Sequence, residues 1–242
     1  MTVEVFFSPS AVDEIVMEGR TAVVIDVIRA TSCIAEALAN GARGIFPTAL
    51  PEEAVKLASS LGREDTLLCG ERKGLKIEGF DLGNSPGEYT AAVVEGKQLV
   101  MSTTNGTRAL LAAEHAETVL VAALLNLSAV VEELKGVENL AVVCAGREDR
   151  FSLPDALCAG LLIRRVLGAT GGDGVEMNDA GRIVLDVAEK YKPDVAFLKS
   201  TKGGQALGEI GMDGDLAFCA SVDRHAIVPV MRERRIGLKE GT

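Results

Sequence analysis

The sequence has few of the residues from which metal clusters and disulfide frameworks are built. It contains only two histidines, His115 and His225, and their wide separation argues against a His-rich zinc site. Its five cysteines are scattered, odd in number and without a CxxC pair. This cysteine pattern indicates reduced thiols in a cytoplasmic protein rather than a disulfide framework.

Aromatic residues, a basic surplus and long apolar runs are also lacking. Only 4% of the residues are aromatic, so the 48% that are hydrophobic are mostly Ala, Val, Leu and Ile, which suits helices packed on a sheet. The net charge of −10 argues against nucleic acid and anionic membranes as partners, because both require a basic surface. No apolar run is long enough to span a bilayer, and the N-terminal segment is acidic where a signal peptide is basic.

Short apolar runs alternate with helical segments along most of the chain. Strands are predicted at 21–28, 43–49, 65–71, 98–103, 118–124 and 139–145, and helices at 31–42, 51–62, 87–95, 107–116, 127–135 and 156–168. This alternation predicts an α/β fold with a mostly parallel sheet and helices on both faces. The glycine-rich segment 72–87 interrupts the pattern, and a loop of this length in a compact domain is usually functional.

The last third of the chain has a different pattern. We expect a main α/β domain over 1–168 and a smaller C-terminal α/β portion over 169–242, as a subdomain or an extension of the same domain. The segment 168–174 has the composition of a flexible hinge. Beyond it, helices are predicted at 178–191 and 203–210 and strands near 215–219 and 226–232. Two polar islands, Gly203-Gly204 and Asp223–His225, are assigned structural roles, with a lid over the site as the alternative.

In parallel sheets of this class, ligands bind beyond the carboxyl ends of the strands. The first predicted strand contains Asp26, which is costly to bury unless it is paired or bound to a metal. Arg29 and the hydroxyls of Thr31 and Ser32 follow at the start of a helix, which is a favourable place for an anion. The alternative is a structural ion pair between Asp26 and Arg29 or another base.

The loop after the third predicted strand carries Glu71, Arg72, Asp81, Asn84 and Ser85. Two carboxylates in a stretch rich in Arg, Lys and Gly could hold Mg²⁺ beside a phosphate. The alternative is a solvated loop whose Asn and Ser only cap the next helix.

The strongest local signal follows the fourth predicted strand. It consists of Thr103, Thr104, Asn105, Gly106 and Thr107 at a strand-to-helix junction. A helix cap needs one hydroxyl, so the excess favours a bound anion. The segment is not a P-loop, since GxxxxGK[ST] is absent.

Arg147 and Asp155 follow the last strand of the main domain. Asp155 lies in the first turn of a predicted helix, so it is either a metal ligand or a carboxylate that the helix dipole favours.

Five segments together resemble the 2-phosphosulfolactate phosphatase family: 26–32, 70–74, 79–86, 103–107 and 155–160. The likeness covers the chain from about Val23 to Pro229, and GFDLGNSP and TTNGT are its most specific parts. It implies a family-specific α/β topology, Mg²⁺, and hydrolysis of 2-phospho-3-sulfolactate to 3-sulfolactate in coenzyme M biosynthesis. One departure is Pro154-Asp155, where the family leads us to expect an acidic pair.

A substrate with phosphate, sulfonate and carboxylate groups needs several cations. Six lie near predicted strand ends: Arg29, Arg72, Lys73, Lys76, Arg108 and Arg147.

We therefore predict three groups of site residues. The catalytic group is Asp26, Arg29 and Asp81. The Mg²⁺ ligands are expected among Asp26, Glu71, Asp81 and Asp155. The substrate contacts are expected from Thr31, Ser32, Arg72, Asn84, Ser85, Thr103, Thr104, Asn105, Gly106, Thr107 and Arg147.

Several alternatives stay open at this point. A carboxylate either attacks phosphorus or orients a water molecule, but the haloacid-dehalogenase scheme is excluded because Ile28 replaces its second Asp. The chain could also be a non-catalytic phosphate-ester-binding protein, a phosphatase for a related phospho-2-hydroxy acid, or an α/β transferase with the same anion site. The sequence does not decide whether the chain forms a homodimer.

Overall fold

The computed structural model describes residues 1–171 and 174–239, so the predicted hinge at 168–174 lies partly outside the described residues. The strands of the described residues are β1 (Thr2–Phe6), β2 (Thr21–Ile25), β3 (Gly44–Pro47), β4 (Thr66–Arg72), β5 (Leu75–Lys76), β6 (Gln98–Ser102), β7 (Thr118–Ala122), β8 (Asn139–Cys144), β9 (Glu176–Met177), β10 (Pro229–Arg232) and β11 (Arg235–Leu238). The α-helices are α1 (Glu14–Met17), α2 (Ala30–Ala39), α3 (Pro51–Leu61), α4 (Ala91–Val94), α5 (Gly106–Ala112), α6 (Leu127–Glu133), α7 (Leu153–Thr170), α8 (Asp179–Lys190), α9 (Val195–Ser200), α10 (Lys202–Glu209) and α11 (Asp215–Cys219).

These strands form one mixed sheet in the order β5-β4-β6-β3-β11-β10-β7-β2-β8-β1-β9. The neighbours β4, β6 and β3 are parallel, and so are β7, β2, β8, β1 and β9. An antiparallel hairpin, β10–β11, lies between these two groups. The mostly parallel sheet predicted from the sequence is therefore confirmed.

Each central strand is buried on both faces. In β2, Val23 and Ile25 belong to one apolar core and Ala22 and Val24 to another, because successive side chains point to opposite faces. The first core also contains residues of α6, α7 and α8, and the second contains residues of α2 and α5. Helices thus cover both faces, as the near-continuous apolar runs of the strands predict.

Most predicted elements are confirmed, but three assignments need correction. Residues 215–219 form helix α11 rather than a strand, because Leu216 and Cys219 are buried at a helical spacing of three. The helix predicted at 87–95 is a 3₁₀ turn at Pro86–Glu88 followed by the short α4. The first strand ends at Ile25, so Asp26 lies beyond it rather than within it.

The C-terminal third contributes to the central sheet and to the helical layer. Its strands β10 and β11 lie at the middle of the sheet, and α8 packs against α7. A Cβ on Gly160 would clash with the carbonyl oxygen of Val184, so glycine permits the close approach of these two helices. The division into residues 1–168 and 169–242 stays a prediction.

All five cysteines are buried and free, as the absence of a disulfide framework predicts. Within residues 1–171 and 174–239, no helix combines the length and the apolar character needed to cross a bilayer.

Candidate active site

A cavity of about 720 Å³ is lined by residues at the carboxyl ends of four strands. Two of them, β2 and β8, belong to one parallel group, and β4 and β6 belong to the other, which runs in the opposite direction because β3, β11, β10 and β7 are each antiparallel to the next. Asp26 follows β2, Glu71 lies at the end of β4, Thr104 follows β6 and Arg147 follows β8, and all four line the cavity. Residues from α9 and α10 form another part of its wall. The cavity therefore lies where the strand ends of the two groups meet, and the carboxyl ends of strands are where open α/β sheets bind ligands.

Asp26 and the turn at 103–107 meet in the structure. A Cβ on Gly106 would lie 2.7 Å from Oδ2 of Asp26 and would clash with Cβ of Ala30. Because Gly106 has no side chain, α5 can begin directly against Asp26 and the first residue of α2. The predicted convergence of these two distant segments is present.

Glu71 connects the same turn to the β4–β5 hairpin. Its Oε1 accepts a hydrogen bond of 2.7 Å from the backbone N–H of Thr104, and its Oε2 accepts one of 2.7 Å from Gly74. Lys73 and Gly74 form the two-residue hairpin turn with φ values of 55° and 81°, the left-handed geometry that favours glycine. The carboxylate of Glu71 is thus held in place by two backbone donors.

Arg29 is a buried cation on the cavity wall. Its Nη1 donates to Oδ2 of Asp215 at 2.7 Å, and its Nη2 donates to the carbonyl oxygen of Gly74 at 2.6 Å. The ion-pair partner of Arg29 within the described residues is therefore Asp215. The alternative of an Asp26–Arg29 ion pair is wrong.

Asp155 lies behind the cavity wall rather than on it. Its Oδ1 accepts a hydrogen bond of 2.9 Å from the backbone N–H of Val27, and its Oδ2 accepts one of 3.1 Å from Gly146. Asp155 thereby joins the start of α7 to the ends of β2 and β8. The neighbouring Pro154 occupies the first turn of α7 and lines the cavity, so it does not disturb the helix.

Burial alters the protonation of Asp26 and Asp155. Burial raises the pKa of Asp26 well above its ordinary value, and the charges of Asp155 and Glu71 raise it further. Burial also raises the pKa of Asp155 to about 7, against the opposing effect of its hydrogen bonds. A group of carboxylates in this state would be stabilised by a cation.

The oxygen donors of the cavity suit Mg²⁺ better than a metal that prefers nitrogen or sulfur. Across the described parts of the chain, no three Asp, Glu, His or Cys side chains form a group that could hold a metal by themselves. However, Oγ1 of Thr104 and Oδ1 of Asn84 are buried without a hydrogen-bond partner, and both residues line the cavity with Asp26 and Glu71. Oγ1 of Thr66 and Oε1 of Gln98 are also without a partner but do not line the cavity, so it is the position of Asn84 and Thr104 beside two carboxylates that suits a ligand or an ion.

Four predicted substrate contacts stabilise turns instead of lining the cavity. The hydroxyl of Thr31 bonds to the backbone of Asp26, and the hydroxyl of Ser32 donates to the carbonyl oxygen of Val27. The backbone N–H of Thr107 donates to Oγ1 of Thr103, and the hydroxyl of Thr107 donates to the carbonyl oxygen of Thr103, both at 3.0 Å. Their predicted contact with substrate is corrected to a role in shaping the turns.

Asp81 is the largest correction among the predicted catalytic and metal residues. Its carboxylate forms an ion pair with Arg63 at 2.9 Å and accepts a hydrogen bond of 2.7 Å from the backbone N–H of Leu68. It does not line the cavity. We therefore remove Asp81 from the catalytic and metal-binding residues.

Arg72 and Ser85 are also absent from the cavity wall. The guanidinium of Arg72 donates to the backbone of Glu71, Ser102 and Ala49, which secures the end of β4. The hydroxyl of Ser85 donates to Oδ1 of Asp215 at 2.5 Å. Both side chains support the site from outside it.

Asn105 and Arg147, which are predicted to contact substrate, line the cavity, and so does Lys73 from the wider set of cations. Sequence reasoning missed the wall from the C-terminal third, to which Thr201, Lys202 and Ile210 belong. Gly203, which was given a structural role, lines the cavity as well. The capping pattern Thr201-x-x-Gly204 marks the start of α10 in the sequence, but nothing in it indicates a cavity.

A family model and individual relatives that match this chain carry the same description. The model of a family described as 2-phosphosulpholactate phosphatase matches residues 6–234. A probable 2-phosphosulfolactate phosphatase from Symbiobacterium thermophilum is 43% identical over 226 residues, covering 93% of this chain and 96% of the relative.

Two further relatives carry the same name. The protein from Thermotoga petrophila is 42% identical over 224 residues, which are 93% of this chain and 94% of the relative. The protein from Clostridium acetobutylicum is 39% identical over 230 residues, which are 95% and 97% of the two chains.

Proposed function

The chain belongs to the 2-phosphosulfolactate phosphatase family, and from this membership we propose that it hydrolyses the phosphate ester of 2-phospho-3-sulfolactate to 3-sulfolactate and phosphate. The observation that supports this most directly is a cavity in which buried carboxylates lie beside polar atoms without partners. The proposal extends to a place in coenzyme M biosynthesis, which the resemblance implies. It also extends to a cytoplasmic location, which the free cysteines favour.

We propose that Mg²⁺ binds to Asp26 and Glu71, with Asn84 and Thr104 as further oxygen donors. All four residues line the cavity. Mg²⁺ usually binds one or two protein carboxylates and completes its shell with water and substrate phosphate, so this donor set is large enough. When bound, the ion neutralises negative charge on the phosphoryl group as the ester bond breaks.

Arg29 and the turn at 103–107 would orient the phosphoryl group. The guanidinium of Arg29 donates to Asp215, to Sδ of Met212 and to the carbonyl oxygen of Gly74. These bonds leave its Nε–H and one N–H of Nη2 for a phosphoryl oxygen. Donors that are already fixed stabilise developing charge without reorganisation during the reaction.

In the proposed reaction, the oxygen of a water molecule forms a bond to phosphorus and the bond from phosphorus to the lactate oxygen breaks. Asp26 orients the water, accepts one of its protons and passes this proton to the departing oxygen. Asp26 is assigned this role because both oxygens of Glu71, the other buried carboxylate among the described residues of the cavity wall, already accept backbone hydrogen bonds.

The test is phosphate release from 2-phospho-3-sulfolactate by the purified protein. We expect release to require Mg²⁺, to stop in EDTA and to return when Mg²⁺ is added in excess. Asp26→Asn should lower kcat by about a thousandfold or more, since general-base and metal contributions are lost together. Asp149→Asn is the matched control, because Asp149 is an exposed carboxylate outside the cavity wall.

Two results would contradict the proposal. Binding of the ester without any phosphate release would identify a non-catalytic binding protein. Turnover that requires an acceptor other than water would identify a transferase.

A further inference from the structure

The cavity has two chemically different ends. Asp26, Glu71 and Asn84 are buried, whereas Arg147 and Lys202 are exposed at the rim. The buried end supplies oxygen atoms, and the rim supplies cations. A ligand that reaches both ends would place its metal-binding group at the first and another anionic group at the second.

The rim cations have no carboxylate partner. Among the described residues, neither Arg147 nor Lys202 forms an ion pair, although the chain has ten more acidic than basic residues. Glu148 and Glu209 line the same cavity without pairing with them. Arg29, by contrast, already has Asp215 as its partner. The positive charge at the rim is therefore available to a ligand.

Arg147 contacts the backbone of Lys202. Nη1 of Arg147 donates to the carbonyl oxygen of Lys202 at 3.1 Å, which joins the β8–α7 loop to the start of α10. Both residues line the cavity, so an anion bound there would offset the repulsion between their charges. The remaining N–H groups of the guanidinium form a planar fork that suits an anion with several oxygen atoms.

The backbone at Lys202, where α10 begins, is held in place by local contacts. Oγ1 of Thr201 accepts a hydrogen bond of 3.2 Å from the backbone N–H of Gly204, which caps α10. A Cβ on Gly204 would clash with the carbonyl oxygen of Leu198, so α9 and α10 approach each other closely. Lys202 thus extends from a fixed backbone.

We infer that Arg147 and Lys202 bind the sulfonate of the substrate and set the preference for a sulfonated ester; this rests on the proposed function. The sulfonate has three oxygen atoms, so it can accept from both side chains, which line one cavity. The carboxylate is left to Lys73, another exposed cation of the cavity wall. The phosphate occupies the buried end.

The test compares two esters, 2-phospho-3-sulfolactate and 2-phospholactate, which lacks the sulfonate. Arg147→Gln and Lys202→Gln should each raise KM for the sulfonated ester about tenfold, which corresponds to about 1.4 kcal/mol. KM for 2-phospholactate should change less than about twofold, and kcat for both esters should stay within about threefold. The preference for the sulfonated ester should therefore fall about tenfold.

Arg182→Gln and Lys56→Gln are the matched controls. They make the same charge changes at exposed cations that do not line the cavity, and they should leave both KM values unchanged.

The possible failures are distinguishable. If the wild-type protein hydrolyses neither ester, the proposed function fails and the inference fails with it. If it prefers the sulfonated ester and the Gln variants keep that preference, the inference alone is wrong. An equal rise in KM for both esters would assign Arg147 and Lys202 to the carboxylate or the phosphate, and this result would also overturn the inference.

Discussion

Arg29 and Asp215 form a buried ion pair with an Nη1–Oδ2 distance of 2.7 Å, although they are 186 positions apart in the chain. The other carboxylate oxygen of Asp215 accepts a hydrogen bond from the hydroxyl of Ser85. One side chain of α11 therefore fixes both the turn after β2 and the loop that carries Asn84. The orientation of the proposed phosphate-binding guanidinium depends on this contact.

The ion pair makes a prediction about stability and activity. Asp215→Ala should lower the free energy of unfolding by about 3–5 kcal/mol, because Arg29 stays buried without its counter-ion. Phosphate release should fall at least tenfold, since Arg29 is no longer held. Urea denaturation and a phosphate assay measure the two effects. The control is Asp213→Ala, which removes an exposed partner of Lys199 and should lower the free energy of unfolding by less than about 1 kcal/mol. An equal loss of unfolding free energy in both variants would contradict the prediction.

Gly106 should be intolerant of a side chain. Gly106→Ala places a methyl group 2.7 Å from Oδ2 of Asp26, so α5 must shift away from the site. We expect a loss of about 1–3 kcal/mol in unfolding free energy and a large fall in kcat. Gly168→Ala is the matched control, because nothing lies within 4 Å of the added carbon and the position is helical. It should stabilise the protein slightly, and similar kinetics for the two variants would show that Gly106 does not set the site geometry.

Asp81 should matter for folding and not for turnover. Asp81→Ala leaves the N–H of Leu68 and the guanidinium of Arg63 without their acceptor. The free energy of unfolding should fall by about 1–2 kcal/mol, while kcat/KM stays within about threefold of the wild-type value. Loss of turnover in a variant of unchanged stability would restore Asp81 to the active site.

The raised pKa of Asp155 predicts a dependence of stability on pH in the absence of divalent ions. Between its ordinary value of 3.8 and the folded value of about 7, the folded state retains a proton that the unfolded state has lost. The free energy of unfolding that Asp155 contributes should therefore decrease as pH rises through this range, by at most about 1.4 kcal/mol per unit, and level off above it.

This contribution is measured by comparing the wild-type protein with Asp155→Asn in EDTA from pH 4 to pH 8. The Asn side chain keeps an acceptor for Val27 but presents an N–H to the backbone N–H of Gly146, so the variant lacks one of the two hydrogen bonds. The stability of the wild-type protein relative to the variant should fall as pH rises from 4 to 7. A difference that stays constant with pH would show that Asp155 does not titrate in this range, and the exposed Asp149→Asn controls for the change in charge.

The sequence predicts the fold well because apolar runs and helical segments alternate clearly. It also places Asp26, Glu71 and the turn at 103–107 in one site, because each follows a predicted strand. It does not show that β2 belongs to one parallel group and β4 and β6 to another, with the antiparallel hairpin β10–β11 between them. It could not separate Asp81 from the site, since a carboxylate in a loop has the same sequence pattern whether it binds a metal or an arginine.

Tertiary contacts decide the remaining cases. Thr31, Ser32, Thr103 and Thr107 have the composition of an anion site, yet their hydroxyls are used by neighbouring backbone groups. Lys202 has no local pattern that marks it as part of a cavity, and only the packing of α9 and α10 brings it there.

The hairpin at the middle of the sheet determines when the site can be assembled. Among the described residues, β11 pairs with β3 at Ile236, and β10 pairs with β7 at Val230 and Met231. During synthesis on the ribosome, the two groups of parallel strands cannot be joined into one sheet until residues 229–238 emerge. Since Glu71 comes from one group and Asp26 from the other, the nascent chain completes its carboxylate pair late.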